Sequence, residues 1–372
     1  DFAEAHCNLG FALKEQGELE AAIESCRRAL ALKPDFAEAY NTLGIALKDQ
    51  GRLDEAVACY LQAVNFKQDL VEAYNNLGFV LQKQGKLDGA ISCYHKAIMC
   101  DSNCADAHEN LGFAFRLQGK LDEAIASYRR VLELDPENES MKHLIASLTG
   151  GASERAPSQY IEGLFDDYAD EFDMHLVKNL EYKTPTELMG LIEEVIELPV
   201  SKWDVLDLGC GTGLAGMEIA PHARQLVGVD LSAKMLSKAR VRNIYHRLVH
   251  EDLLSMMLGE SASSYDVIIA ADVLIYLGVL DKIVSEARRL LRDGGFFMFS
   301  VEALEAFSDE VTSVEDCAGY KLTQSGRYLH SSNYLKKLAF TSGFEFLNLV
   351  SAQVRLEKGK PAMGWLVLWR VQ

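Results

Sequence analysis

Basic residues are the scarce charge in this sequence: 37 lysines and arginines stand against 55 aspartates and glutamates, a formal net charge of −18. The shortage is even, with 15 basic against 24 acidic residues before residue 155 and 22 against 31 from there on. A field of that sign repels polyanions, so nucleic acid is not expected as partner or substrate. Long apolar runs are missing as well. No stretch approaches the ~18 consecutive apolar residues of a membrane span, and the first residues show neither a basic nor an apolar leader pattern. The expected location is the cytoplasm, with no membrane partner. The eight cysteines include no Cys-x-x-Cys pair, and Cys7, Cys26, Cys59, Cys93 and Cys100 fall in helical patterns. Neither a disulfide framework nor a metal site is expected.

What is present is enough apolar material, 49% of 372 residues, for the cores of two or three domains. A period of 34 residues runs from Ala3 without gaps: "AEAHCNLGFALKEQGELEAAIESCRRALALKPDF", "AEAYNTLGIALKDQGRLDEAVACYLQAVNFKQDL", "VEAYNNLGFVLQKQGKLDGAISCYHKAIMCDSNC" and "ADAHENLGFAFRLQGKLDEAIASYRRVLELDPEN". In each copy a Leu-Gly pair (Gly10, Gly44, Gly78, Gly112) lets two helices approach, and a second glycine (Gly17, Gly51, Gly85, Gly119) ends the first helix. Ala22, Ala56, Ala90 and Ala124, with Cys26, Tyr60, Tyr94 and Tyr128 four residues on, fill the contact. Over residues 1–138 this resembles the tetratricopeptide repeat, and the resemblance implies an all-α solenoid with a protein or peptide partner on its concave face.

Asn8, Asn76 and Asn110 share the sixth repeat position and read either as hydrogen-bond donors to such a peptide or as solvated polar positions. His6 and His108 occupy the usual aromatic slot and read as packing residues. The opening Asp1-Phe2-Ala3-Glu4-Ala5 repeats the junction Asp35-Phe36-Ala37-Glu38-Ala39, so further repeats are expected upstream. Residues 139–150 read as a capping helix. The expected organisation is a repeat solenoid over 1–150, a Gly/Ser/Pro linker over 151–158 and a second domain over 159–372.

In that second domain short apolar runs, "KWDVLDLG", "RQLVGVD", "YDVIIAAD" and "GFFMFSVE", alternate with helical stretches, which predicts a doubly wound α/β sheet. The final runs "FEFLNLVSAQVRL" and "AMGWLVLWRVQ" are joined by too few residues for a crossover and should pair antiparallel. The stretch "VLDLGCGTGLAG" (205–216) reads in two registers. From Gly211 it is the G-x-G-x-x-G of dinucleotide-binding folds. From Asp207 it is Asp-x-Gly-x-Gly-x-Gly, where a carboxylate would repel a pyrophosphate and attract a sulfonium and an ammonium. Gly209, Gly211 and Gly213 then permit a tight turn and close approach of ligand, Asp230 accepts ribose hydroxyls, and Gly216 is a helix-packing residue.

Together with "HEDLL" and "YDVIIAADVLIYL", this order of motifs resembles the class I S-adenosylmethionine-dependent methyltransferases. With the upstream repeats it is similar to a group of predicted bacterial methyltransferases that carry tetratricopeptide repeats. The resemblance implies a Rossmann-like, seven-stranded, mostly parallel sheet with an antiparallel terminal hairpin, and S-adenosylmethionine as cofactor. By it, the loop residues Gly209, Cys210, Gly211, Thr212 and Gly213 and the pair Asp230 and Leu231 hold the cofactor. Asp252 and Leu253 bracket the adenine, and Asp272 lies beside the methionine portion. Alternatives stand next to these roles: Asp252 as a helix N-cap, Tyr168 and Tyr182 as either a cover over the cofactor or core residues, Cys210 as a small inert residue. The methyl acceptor, a small molecule or a protein, is expected near Tyr276 and "GRYLHS", with Arg327 and Tyr328 binding it and His330 as general base. The alternatives are His330 as a cap of the following helix and Arg327 paired with a surface acid. Competing readings are a nicotinamide-dependent oxidoreductase and a repeat scaffold with an inactive catalytic domain.

Overall fold

A computed structural model describes residues 2–151, 153–169, 172–174, 176, 182–304, 319–357 and 359–372. The chain divides into two compact units, Asp1–Ile145 and Ala146–Gln372. Among the described residues no helix is long and apolar enough to cross a membrane.

The first unit is four helix hairpins: α1 (Phe2–Glu15) with α2 (Leu19–Leu32), α3 (Ala37–Asp49) with α4 (Leu53–Phe66), α5 (Val71–Lys83) with α6 (Leu87–Cys100), and α7 (Ala105–Leu117) with α8 (Leu121–Leu134). The helix α9 (Glu139–Thr149) follows where the capping helix is expected. The repeated Leu-Gly pair has a steric cause. A Cβ added at Gly44 would stand 2.6 Å from the Tyr60 ring, and at Gly78 2.5 Å from the Tyr94 ring, so the helices close only because that side chain is missing. In the first repeat the facing residue is Cys26, and a Cβ at Gly10 would still stand 2.6 Å from its Sγ. Asn76 donates to Asn41 and Asn110 to Asn75, each at 3.1 Å, so these asparagines tie each repeat to the one before it. Asn8 is exposed and His6 half-buried, while His108 Nε2 lies 3.1 Å from the Ser102 carbonyl.

The second unit opens with α10 (Ser158–Tyr168), α11 (Phe172–Met174) and α12 (Thr184–Glu193). It continues through β1 (Trp203–Leu208), α13 (Leu214–Ile219), β2 (Ala223–Asp230), α14 (Ala233–Val241), β3 (Arg247–His250), α15 (Leu253–Gly259), β4 (Tyr265–Ala270), α16 (Asp281–Leu290) and β5 (Leu291–Ala303). Last come β6 (Tyr320–Leu322), β7 (Tyr328–His330), α17 (Ser332–Thr341), β8 (Phe344–Glu357) and β9 (Lys360–Val371).

Strands β3-β2-β1-β4-β5 are parallel; β9 joins β5 antiparallel and β8 joins β9 antiparallel, as the terminal runs predict. The described sheet has nine strands where seven are expected. The extra pair is the β6–β7 ribbon, attached to the far end of β5 through Glu302 and Ala303; three-residue strands are too short to show a period. Apolar side chains fill both faces. One cluster packs Leu206, Ile268 and Phe297 with helix residues such as Val284 and Leu338; the other packs Val205, Val267 and Met298 with Leu188 and Ile219. The strand order reverses between β1 and β4, and a doubly wound sheet opens its ligand crevice at the carboxyl ends of the strands there.

The stretch expected as a linker is bound into this unit. The Ala156 N–H donates to the Tyr276 carbonyl at 2.8 Å, and the Gly278 N–H donates to the Glu154 carbonyl at 2.8 Å. Residue 152 and most of 175–181 lie outside the described residues, so the helical reading of "YIEGLFDDYADEFDMHLVKNL" is described only over Ser158–Tyr168 and Phe172–Met174.

Candidate functional site

A cavity of about 410 Å³ lies at this crevice, within the range of small-molecule sites. Of the residues singled out in the sequence it is lined by Tyr168, Gly209, Cys210, Gly211, Thr212, Asp230, Leu231, Asp252, Leu253, Asp272, Tyr276 and Arg327. Asp207, Gly213, Tyr328 and His330 are not among the lining residues.

The glycine loop explains the split. Gly209, Gly211 and Gly213 all have positive φ (64°, 55° and 94°), which a side chain disfavours. Their Cβ positions differ, however. At Gly209 a Cβ would strike Val273, and at Gly213 it would stand 3.0 Å from Arg242; only at Gly211 is the space open, with Phe172 3.9 Å away. Gly211 alone offers its bare backbone to a ligand, and its two neighbours answer to packing within the protein. Gly216 is a packing residue, as expected: a Cβ there would overlap the Tyr245 hydroxyl.

Asp207 does not face the cavity as a free carboxylate. It is 1% exposed and accepts a 2.6 Å hydrogen bond from Tyr245. Burial lifts its carboxyl to about 7, with the Tyr245 bond pulling the other way. Asp230, at the end of β2, accepts from the Gly211 and Ser232 N–H groups at 2.8 Å each; burial raises its pKa against those bonds. One carboxylate thus shapes the loop and borders the cavity. Asp252 caps α15, accepting from the Leu254 and Ser255 N–H groups, while its other oxygen accepts from Arg155 at 2.7 Å. It is an N-cap and a cavity residue at once.

The opposite wall is built from distant strands. Asp272 follows β4 with φ 55°, a strained value for a residue with a side chain. Ser300 of β5 holds it there twice, accepting from its N–H at 2.8 Å and donating to Oδ1 at 2.7 Å. Arg355 of β8 is buried, pairs with Glu302 and reaches Asp272 Oδ2 at 3.5 Å. Arg327 pairs with Glu302 at 2.7 Å and with Glu357, so its guanidinium is engaged by two carboxylates and is not a free clamp for an acceptor carboxylate.

Tyr276 lines the cavity, and burial pushes its phenol well above its ordinary range, so it can donate a hydrogen bond but not act as a base. Phe165 and Tyr276 stand edge to face at 5.6 Å, as do Tyr168 and Phe172 at 5.3 Å, an aromatic wall from α10 and α11. That wall is fastened to the loop: the Thr212 hydroxyl donates to Asp173, and Arg242 donates to the same carboxylate at 2.5 Å. Tyr182 also lines the cavity and is half-buried. Burial raises the Cys210 thiol well above its usual value, which suits an inert residue and not a nucleophile.

His330 contradicts the base assignment. It is fully buried in β7, its Nε2 donates to the Gly278 carbonyl at 3.1 Å, and its ring stacks on Tyr334. Burial depresses its pKa to about 4. Tyr328 is likewise fully buried and turned away from the cavity lining. Both side chains of "GRYLHS" that looked polar and accessible are core residues of the β6–β7 ribbon. The residues not anticipated are Arg355, Glu302, Arg155, Asp173 and Tyr245. Arg355 had one signal, a lone guanidinium within an apolar strand run; the others are distinguished only by their three-dimensional neighbours.

The cavity lining carries charge of both signs: Asp230, Asp252 and Asp272 border it with Arg155, Lys282, Arg327 and Arg355, and Asp207 lies behind its loop. Residues 205–295 match a family described as "Methyltransferase domain". Residues 12–51 and 46–85 match "TPR repeat", and 69–137 match "Tetratricopeptide repeat".

The chain joins tetratricopeptide repeats to a methyltransferase domain.

Among curated proteins it is similar to the probable S-adenosylmethionine-dependent methyltransferase CRG1 of Saccharomyces cerevisiae, 26% identical over 40% of this chain and 53% of that protein. It is also similar to the malonyl-[acyl-carrier protein] O-methyltransferase of Legionella pneumophila, 32% identical over 33% of this chain and 44% of that protein. The chain spans about half the length of these curated relatives. Among solved structures it is similar to a putative S-adenosylmethionine-dependent methyltransferase from Listeria monocytogenes, with 19% identity, a TM-score of 0.39, and coverage of 51% of this chain and 100% of that one. S-adenosylmethionine is the cofactor of such a domain, and the relatives give the nicotinamide alternative no support.

Proposed function

We propose that this protein transfers the methyl group of S-adenosylmethionine to an acceptor bound against the aromatic side of the cavity, and that its repeat unit binds a protein or peptide partner. The observation that carries the reading is the cavity at the β1/β4 switch point, with bare backbone at Gly211 and with Asp230, Asp252 and Asp272 among its lining residues. When bound, S-adenosylmethionine supplies a methyl group on a sulfonium, a leaving group already activated.

In this reading Asp230 accepts the ribose hydroxyls, Leu231, Asp252 and Leu253 border the adenine, and Asp272 faces the methionine ammonium. Cys210 and Thr212 supply loop wall. Phe165, Tyr168 and Phe172 exclude water, and Tyr276 orients the acceptor by donating from its phenol. Alignment and desolvation then carry most of the catalysis. The acceptor is a small molecule or a protein. For the repeat unit, Phe11 and Phe113 sit at equivalent positions of α1 and α7, exposed, with Lys14 and Arg116 over their rings at 5.2 and 4.9 Å. Such a surface suits a partner on the concave face of a repeat array. A cytoplasmic location is part of the same proposal and rests on the sequence alone.

Thermal unfolding with S-adenosylhomocysteine or NAD tests the donor, because only a ligand of the native state raises the midpoint by mass action. S-adenosylhomocysteine should raise it and NAD should not; the reverse result would overturn the reading. Incubating the protein with labelled S-adenosylmethionine and fractionated cell extract then sorts the acceptor into small-molecule or protein products.

A further inference from the structure

We propose that Arg355, carried in from the terminal hairpin, is a positioning residue for cofactor binding: with Glu302 and Arg327 it forms a fixed frame that keeps the Asp272 carboxylate ionised and in place at the cavity wall. The inference rests on the cofactor reading above and goes beyond it, because Arg355 lies 83 positions from Asp272 in the numbering, outside the 205–295 match.

Three observations converge. Asp272 occupies a backbone conformation that costs energy unless its surroundings enforce it, and Ser300 enforces it through two hydrogen bonds. That leaves Oδ2 as the oxygen not taken by Ser300, and Arg355 Nη1 stands 3.5 Å from it. Arg355 is itself held: it is 8% exposed, and its other terminal nitrogen is paired with Glu302, which is 3% exposed and also accepts from Arg327. A buried guanidinium flanked by two carboxylates is not free to turn away.

The groups that bear on Asp272 come from every element around it. They are Ser300 and Glu302 of β5, Arg355 of β8, Arg327 ahead of β7 and Tyr182 ahead of α12. Burial alone would favour the protonated acid, and of these neighbours Arg355 opposes that most strongly. Without it, the buried carboxyl takes up a proton at a higher pH, and the negative charge facing the cofactor's ammonium is lost.

The test is calorimetric affinity for S-adenosylhomocysteine across pH in the full chain, with folding checked by thermal unfolding. In Arg355→Gln the affinity should begin to fall at a higher pH than in wild type as pH is lowered, with a steepness of at most about tenfold per pH unit for one titrating carboxyl. Asp207, which burial brings to about 7, titrates in both proteins and cancels in the comparison. Arg355→Lys should recover most of the wild-type profile. Asp272→Asn leaves the Glu302–Arg355 pair intact, so it remains testable if Arg355→Gln does not fold. It should bind weakly with a flatter profile, and adding Arg355→Gln, or the paired change Glu302→Gln with Arg355→Gln, should weaken binding little further. An equal loss at every pH in Arg355→Gln, or Asp272→Asn with wild-type affinity, overturns the proposal. Absence of binding in the wild type would instead remove the cofactor reading beneath it.

Discussion

The two units bury different things. In the repeat unit the fully enclosed side chains are alanines, Cys26, Val80 and the rings of Tyr60, Tyr94 and Tyr128, whereas every buried aspartate, glutamate and arginine among the described residues (Asp204, Asp207, Glu302 and Arg355) belongs to the α/β unit. Closing Gly44 on Tyr60 costs no charge desolvation and needs a partner only 16 residues away in the numbering. Holding Glu302 and Arg355 out of water requires partners that meet only when the sheet is complete, and desolvated ions are expensive unless paired. A repeat core is therefore an arrangement of sizes, and the catalytic unit adds an arrangement of charges to it.

The largest expected effect tests whether buried charge in the α/β unit works against folding. Burial holds the native Asp207 carboxyl at about 7, above its ordinary 3.8, so between those values the native state keeps a proton that the unfolded chain has released. The contribution of this group to stability should fall as pH rises from about 4 to about 7 and change no further above it. Asp207→Asn should lack that contribution, so its stability relative to wild type should rise over that window and exceed it above, by up to roughly 4 kcal/mol, an upper figure from three pKa units. Chemical denaturation of cofactor-free protein at both ends of the window reads this, and a wild type that gains stability over the variant as pH rises would refute it.

Next in size is Asp230→Ala, which removes two charge-assisted loop bonds and the wall carboxylate. Affinity for S-adenosylhomocysteine should drop roughly a hundredfold, from bonds worth about 1.5–3 kcal/mol each, while the repeat unit's unfolding is unmoved. Gly44→Ala is the mirror experiment. Its Cβ meets the Tyr60 ring 2.6 Å away, and the overpacking should cost about 1–3 kcal/mol in urea unfolding of the repeats, with S-adenosylhomocysteine affinity unchanged. If that affinity fell too, the units would not be independent.

The smallest effect is expected at His330. With Nε2 on the Gly278 carbonyl and burial depressing its pKa to about 4, the ring is neutral at working pH and has no route to a reacting proton. His330→Asn should leave the pH profile of methyl transfer to extract unchanged in shape, with affinity for S-adenosylhomocysteine within roughly twofold. Loss of the acidic limb of that profile, the low-pH fall set by protonation of a base, would restore the base assignment.

How far each region could be read in advance follows the same division. The helix hairpins, the Gly44-type contacts, the five parallel strands and the terminal β8–β9 pairing were legible, because their partners recur at a fixed period or lie close along the chain. The cofactor loop was legible in kind: Gly211, Asp230 and Asp252 border the cavity. Asp207 and Gly213 lie outside the cavity lining; the motif records that a residue matters without saying whether ligand or protein presses on it. Arg327, Tyr328 and His330 were read by residue type alone, and type does not report burial or existing partners.

By itself the sequence determined the repeat architecture, the order of strands and helices and the choice of a sulfonium donor over a dinucleotide, all of which depend on local periodicity and on the sign of nearby charge. Only the tertiary structure decided which carboxylates reach the cavity, which histidine is sealed in the core, and that Arg355 stands beside Asp272 in the cavity wall. Those outcomes depend on desolvation and on pairing between β4, β5 and β8, and neither exists until the sheet has closed.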